Sequence, residues 1–332
     1  MKRYATIVAS GRYIPDIECS NEIFRKRFGD EAIQKLEDST GILTRYYAPQ
    51  NYCCSDIATK AIQNLLGKCA LPPEKVDLLI LGTDSPDFIT PCTSVVVQKK
   101  AGLVNAGTFD VGCACASFPT GLAIASGIIA TQPQIKNIIV VGSYMMHKLA
   151  DVEKDINSFF YGDGAGAVLV TASEEPGFVS STIKADGSYA MNWGIYSGGT
   201  YEPATVESVQ AGRTQVRFVT PFPATVNNEG WPMRIKEVAE NGGFEVKDID
   251  HIVFTQVRSR TIDKVMETVG LPIEKAHKVM QKWGYLGSSC LPVAFDEALE
   301  LKKIKAGDLV VFVGSGVGYN QCSVAFRMPK SI

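Results

Sequence analysis

The feature that most constrains this chain is an internal duplication. Val76-Asp77-Leu78-Leu79-Ile80-Leu81-Gly82-Thr83 matches Ile249-Asp250-His251-Ile252-Val253-Phe254-Thr255-Gln256, each an acidic residue entering a buried-strand run. About twenty residues on, Gln98-Lys99-Lys100-Ala101-Gly102-Leu103 and Met266-Glu267-Thr268-Val269-Gly270-Leu271 share a helix-end pattern. Ala116-Ser117-Phe118-Pro119 then matches Ser289-Cys290-Leu291-Pro292, and Asn137–Ser143 matches Leu309–Ser315. The offset is 173 for two of these (250 − 77 and 292 − 119) and 172 for the last (314 − 142). A nearly constant offset across three elements, with a fourth match between them, implies a duplicated unit in which strands alternate with helices. The 332 residues are enough for two such halves, 1–172 and 173–332, around one α/β core.

The duplication also says where chemistry belongs. Ligand sites in α/β sheets lie at the carboxyl ends of strands. Related by a pseudo-twofold axis, equivalent helix starts approach one another. Four loops are therefore expected to converge: the one holding Cys115, the loop Gly284–Ser289, the loop after Ile252-Val253-Phe254, and the Gly-rich turn Gly314-Ser315-Gly316-Val317-Gly318. In Val111-Gly112-Cys113-Ala114-Cys115-Ala116-Ser117-Phe118-Pro119, small residues lead through a cysteine into an apolar helical run, Thr120 to Ala130. Two readings of Cys115 stand. Free cysteine is among the most buried residue types and packs well under a sheet. A cysteine at a helix start also sits at the positive end of the dipole, which favours the thiolate without a separate base and suits acyl-thioester chemistry.

Other features narrow the class. Net charge is −2 with Lys and Arg scattered along the chain, which gives no electrostatic footprint for nucleic acid or an anionic membrane. No apolar run is read as reaching the roughly 18 residues a bilayer span requires. Residues 1–11 read as a first strand and not as a signal peptide. Nine cysteines, an odd number lying mostly in apolar segments, suit reduced thiols in a cytoplasmic protein. The three histidines, His147, His251 and His277, lack zinc-type spacing to a cysteine pair, so no metal is expected. His147 reads as a solvated surface residue. Tyr161-Gly162-Asp163-Gly164-Ala165-Gly166 runs into a strand with no following Lys-Ser/Thr, so it reads as a crowded turn and not a phosphate loop. Gly198–Asn228 is either an excursion over the site or a surface insertion.

Several of these stretches together resemble the thiolase-fold condensing enzymes, specifically the β-ketoacyl-acyl-carrier-protein synthase III family. They are Ser39-Thr40-Gly41-Ile42, Phe109-Asp110-Val111, Cys115-Ala116-Ser117-Phe118, Gly162–Ala167 and Gly314-Ser315-Gly316. The resemblance implies a thiolase-like α/β fold of duplicated βαβαβαββ halves in a five-layered αβαβα sandwich, usually dimeric. It implies Cys115 as nucleophile and the N–H groups of Cys115 and Gly316 as oxyanion hole. The substrate would be acyl-CoA or acyl-carrier protein, with no permanently bound cofactor.

The departures from that pattern are specific. The family histidine of Pro-His-Gln-Ala-Asn is replaced by Thr255, and the asparagine of Gly-Asn-Thr-Ser by Tyr285. In the family these two side chains stabilise the charge that forms when a malonyl thioester loses carbon dioxide. The tryptophan and arginine that grip coenzyme A are absent from Glu31-Ala32-Ile33 and Asp38-Ser39-Thr40. Thr255 and Tyr285 retain hydroxyl donors that suit a different hole, or the tyrosine fills the cavity. The leading expectation is an acyltransferase acting through Cys115, with Thr255 and Tyr285 as candidate catalytic partners and a carbon or heteroatom acceptor. The alternative is a catalytically silent subunit paired with an active paralogue. A thiolase-type second cysteine fits less well, because Cys322 falls within a strand-like run.

Overall fold

The apolar runs form two sheets in a computed structural model that describes residues 3–330. The assigned halves also include residues 1, 2, 331 and 332, which lie outside the described residues. The first sheet comprises β1 (Tyr4–Tyr13), β2 (Leu78–Gly82), β3 (Gly107–Val111), β4 (Asn137–Tyr144) and β5 (Gly164–Ser173), in the order β1-β5-β4-β2-β3. The second comprises β6 (Phe178–Ala185), β7 (His251–Phe254), β8 (Leu309–Gly316) and β9 (Asn320–Arg327), in the order β6-β9-β8-β7. β2 runs parallel to β3 and β4, and β7 runs parallel to β8; the other pairings are antiparallel. All eight residues of β8 and seven of eight in β4 are buried, which explains why these strands read as unbroken apolar runs.

The helices that build the layers are α1 (Cys54–Cys69), α2 (Thr93–Lys100), α3 (Ser117–Thr131), α4 (Thr225–Gly242), α5 (Ser259–Val269) and α6 (Cys290–Glu300). α1 and α2 cover the first sheet, and α4, with α5 packed beside it, covers the second. α3 and α6 lie between the sheets, giving the five layers αβαβα. A helix enclosed on all sides is apolar on all sides. The stretch Ala114–Thr131 accordingly reaches 18 residues with a composition apolar enough for a membrane span, correcting the expectation that no run does so. Its environment is protein: it packs on β1, β2, β4 and β5 of one sheet and β8 and β9 of the other.

The duplication is complete in the first half, β1-α1-β2-α2-β3-α3-β4-β5. In the second half the counterpart of β3 shrinks to one bridge, Ile252 to Ala276. The Gln256 side chain takes the place of a ladder there. Its Nε2 donates to the His277 carbonyl at 2.7 Å, and its Oε1 accepts from Val279 N–H at 2.7 Å. Equivalent glycines allow the central elements to approach. A Cβ on Gly142 of β4 would strike the Ser288 carbonyl, and one on Gly314 of β8 would lie 2.9 Å from Pro119 Cγ and 3.3 Å from Ala116 Cα. Each half thus rests the turn before its central helix on a strand glycine of the other half.

Candidate active site

Between β3 and α3 the chain makes a 3₁₀ turn, Ala114–Ala116, with Ala114 in the left-handed region at φ 47°. An alanine there costs about 1 kcal/mol. The Cys113 N–H donates to Ser117 Oγ at 2.9 Å, and the Ala116 N–H donates to the Cys113 carbonyl at 3.0 Å. The second half repeats the turn at Gly287–Ser289, with Gly287 at φ 49° and Ser288 where the first half has Cys115. The two turns touch. Only the first carries a thiol; in the second, Ser288 donates its hydroxyl to the Ser143 carbonyl at 2.7 Å.

The Gly284–Ser289 loop and the Gly-rich turn meet at Cys115, and the loop after β7 joins them through the Gly-rich turn. A Cβ on Gly316 would sit 3.0 Å from Cys115 N and collide with the Cys113 carbonyl, so the Gly-rich turn lies directly against the cysteine turn. Thr255, buried at the end of β7, binds this turn: its hydroxyl oxygen accepts from the Ser315 N–H at 3.2 Å. The Tyr285 hydroxyl lies directly against Cys115 Sγ. Its backbone is fixed on both sides, donating to the Phe160 carbonyl at 2.7 Å and accepting from Gly162 N–H at 2.9 Å. Behind Tyr285 stand Tyr144, with centroids 5.6 Å apart, and Tyr161, 6.3 Å further, whose hydroxyl accepts from Trp193 Nε1 at 3.3 Å. The 198–228 excursion lies on this side: Arg217–Phe218 pairs with Trp193–Gly194, and Val216 N–H bonds the Leu149 carbonyl.

One further residue reaches the sulfur. Asp84, in the loop after β2, places Oδ2 3.9 Å from Cys115 Sγ, while its Oδ1 is buried with no hydrogen-bond partner. Burial pushes the Asp84 carboxyl up to about 7. Burial first, then the charge of Asp84, pushes the Cys115 thiol well above its ordinary value. That corrects the expectation of a dipole-stabilised thiolate. The helix proper begins two residues later at Ser117, and desolvation with a carboxylate alongside outweighs the dipole. Burial at this sulfur therefore favours the neutral thiol over the thiolate.

The histidines lie elsewhere. His147 is not a solvated surface residue: its Nδ1 pairs with buried Asp163 at 2.6 Å and its ring stacks on Tyr47. Asp163 also accepts from Ala48 N–H at 2.8 Å, so the Gly162-Asp163-Gly164 turn is occupied by this network. His277 pairs with Glu297 at 2.8 Å, and burial pulls His251 down to about 4. Cys322 is fully buried in β9, and all nine cysteines are unpaired thiols.

Residues 109–187 match the family described as 3-oxoacyl-[acyl-carrier-protein (ACP)] synthase III, and residues 239–328 match its C-terminal region. A β-ketoacyl-[acyl-carrier-protein] synthase III of Natranaerobius thermophilus is 33% identical over 322 residues, covering 95% of this chain and 96% of that one. The chain belongs to the β-ketoacyl-acyl-carrier-protein synthase III family. A second synthase III relative, from Staphylococcus epidermidis, is 33% identical and covers 98% of this chain and 99% of its own. The synthase III structure from Thermus thermophilus superposes with a TM-score of 0.89 at 26% identity, over 98% of this chain and all of that one. Membership of the synthase III family makes this an acyltransferase of the condensing type. Asp84 escaped the sequence reading because it matches no motif position. The repeat held a pointer to it: the loop after β2 is the pseudo-symmetric counterpart of the Thr255 loop after β7.

Proposed function

We propose that Cys115 takes an acyl group from a carrier-protein or coenzyme A thioester and passes it to an acceptor in fatty acid or polyketide synthesis. The observation that carries this reading is the position of the thiol, in a strained turn with Gly316 against its backbone and an ionisable carboxyl at its side. The N–H groups of Cys115 and Gly316 stabilise the tetrahedral oxyanion, a service whose loss costs about 100–1000-fold in rate per donor. The half 1–172 supplies the nucleophile, and 173–332 supplies the Gly-rich turn, Thr255 and Tyr285. The enzyme works as a cytoplasmic homodimer on soluble thioesters, with no resident cofactor. Threonine at 255 provides no base, so the acceptor is a specialised nucleophile, carbon or heteroatom, matched to the hydroxyls of Thr255 and Tyr285.

The test is intact-protein and peptide mass spectrometry after incubation with acetyl-, octanoyl- and malonyl-thioesters of coenzyme A and carrier protein. The expected result is a single acyl adduct on Cys115, abolished in Cys115→Ala; no adduct from any donor overturns the proposal. A second reading, the silent partner subunit, draws on the Tyr285 phenol covering the sulfur. It predicts an obligate heterodimer whose activity survives Cys115→Ala.

A further inference from the structure

We infer that the Asp84 carboxylate is the base that takes the Cys115 thiol proton, in place of a histidine. The inference rests on reading Cys115 as the acyl-accepting nucleophile. Oδ2 stands 3.9 Å from Sγ with the thiol as donor, and Oδ1 is buried without a partner. The titratable groups facing this carboxyl are Cys115, Cys290, Tyr144, Tyr161 and Tyr285. None is a cation, and among the described residues no salt bridge engages Asp84, so its proton affinity is free for the thiol. A structural carboxylate normally satisfies both oxygens; this one keeps a buried oxygen unpaired beside a nucleophile. A carboxyl titrating near 7 is also matched to proton transfer at neutral pH. In the pseudo-symmetric fold, the base has moved from the loop after β7 to the loop after β2.

The step balances without a further reactant. As Sγ bonds to the thioester carbonyl carbon, its proton passes to Asp84 Oδ2 and the carbonyl π pair moves to oxygen. The oxyanion collapses, the bond from carbon to the donor sulfur breaks, and that sulfur takes the proton back from Asp84. The site returns to its carboxylate with the acyl group on Cys115.

The experiment follows Cys115 alkylation by iodoacetamide, peptide by peptide, between pH 5.5 and 9 in wild type, Asp84→Asn and Asp84→Glu, with folding checked by circular dichroism. The expected result is a wild-type rate that rises through an inflection near pH 7. Asp84→Asn slows it at least tenfold at pH 7.5 and removes the inflection, and Asp84→Glu restores most of the rate. A carboxylate that acts only as a nearby negative charge predicts the opposite sign, because its removal eases thiolate formation. An Asp84→Asn protein alkylated as fast as or faster than wild type overturns the inference, as does a wild-type Cys115 inert across the range. A protein with the expected profile that accepts no acyl group sinks the proposed function and leaves the role of Asp84 standing.

Discussion

At the scale of single residues, Asp84 and Tyr285 stand against the Cys115 sulfur, and Thr255 holds the Gly-rich turn beside it. Asp84 is ionised only against the cost of burial, and stability records that cost. Its folded carboxyl, near 7, lies above the ordinary 3.8, so folding favours the protonated form. The penalty is absent below about pH 4, grows from there, and is complete above about pH 7. At 1.36 kcal/mol per tenfold it amounts to at most about 4 kcal/mol, less where water reaches the loop. Asp84→Asn is therefore expected to raise the melting temperature at pH 8 and to leave it nearly unchanged at pH 4. Calorimetry at the two pH values checks this, and equal shifts contradict it. By the family resemblance, Tyr285 and Thr255 take the positions of an asparagine and a histidine. The double variant Thr255→His with Tyr285→Asn is expected to raise carbon dioxide release from malonyl-carrier protein at least 100-fold over wild type. Radiolabelled malonyl donor reads this directly, and an unchanged rate rules out those two positions as the block.

At the scale of elements, the two cysteine-type turns are a matched pair with different tolerances. Ala114 and Gly287 share the left-handed backbone at φ 47° and 49°. A Cβ is accommodated at 114, but at 287 it would run into the Tyr144 ring. Gly287→Ala is expected to displace Tyr144 and cost about 1–3 kcal/mol, as other overpacked sites do. Ala114→Gly exchanges strain for unfolded-chain entropy and should stay within about 1 kcal/mol of wild type. Urea denaturation of both variants separates a steric requirement from a conformational one. The turn glycines, the strand runs and Pro119 and Pro292 in equivalent helix starts were all legible in the sequence, because backbone geometry demands particular residue types there. The lost strand at Ala276 was not legible. Its replacement is a side chain, Gln256, that bonds His277 and Val279 across 21 and 23 residues, and no local pattern encodes that.

At the scale of the whole molecule, the halves are joined reciprocally, each central helix start resting on a strand of the other half. Each central helix is buried between the sheets of both halves, so the two are expected to unfold as one cooperative unit. Size-exclusion chromatography with light scattering should find a dimer of twice 35.9 kDa, and a monomer at micromolar concentration refutes that assembly. The duplication and the candidacy of Cys115 follow from sequence alone, because periodicity and turn chemistry are local and repeat at a nearly constant offset, while the five layers are implied by the family resemblance. The protonation state of the sulfur, the cover supplied by Tyr285 and the approach of Asp84 belong to the tertiary structure. Desolvation and charge act through space between residues 31 and 170 positions apart, and burial reverses what the helix dipole alone would do to the thiol.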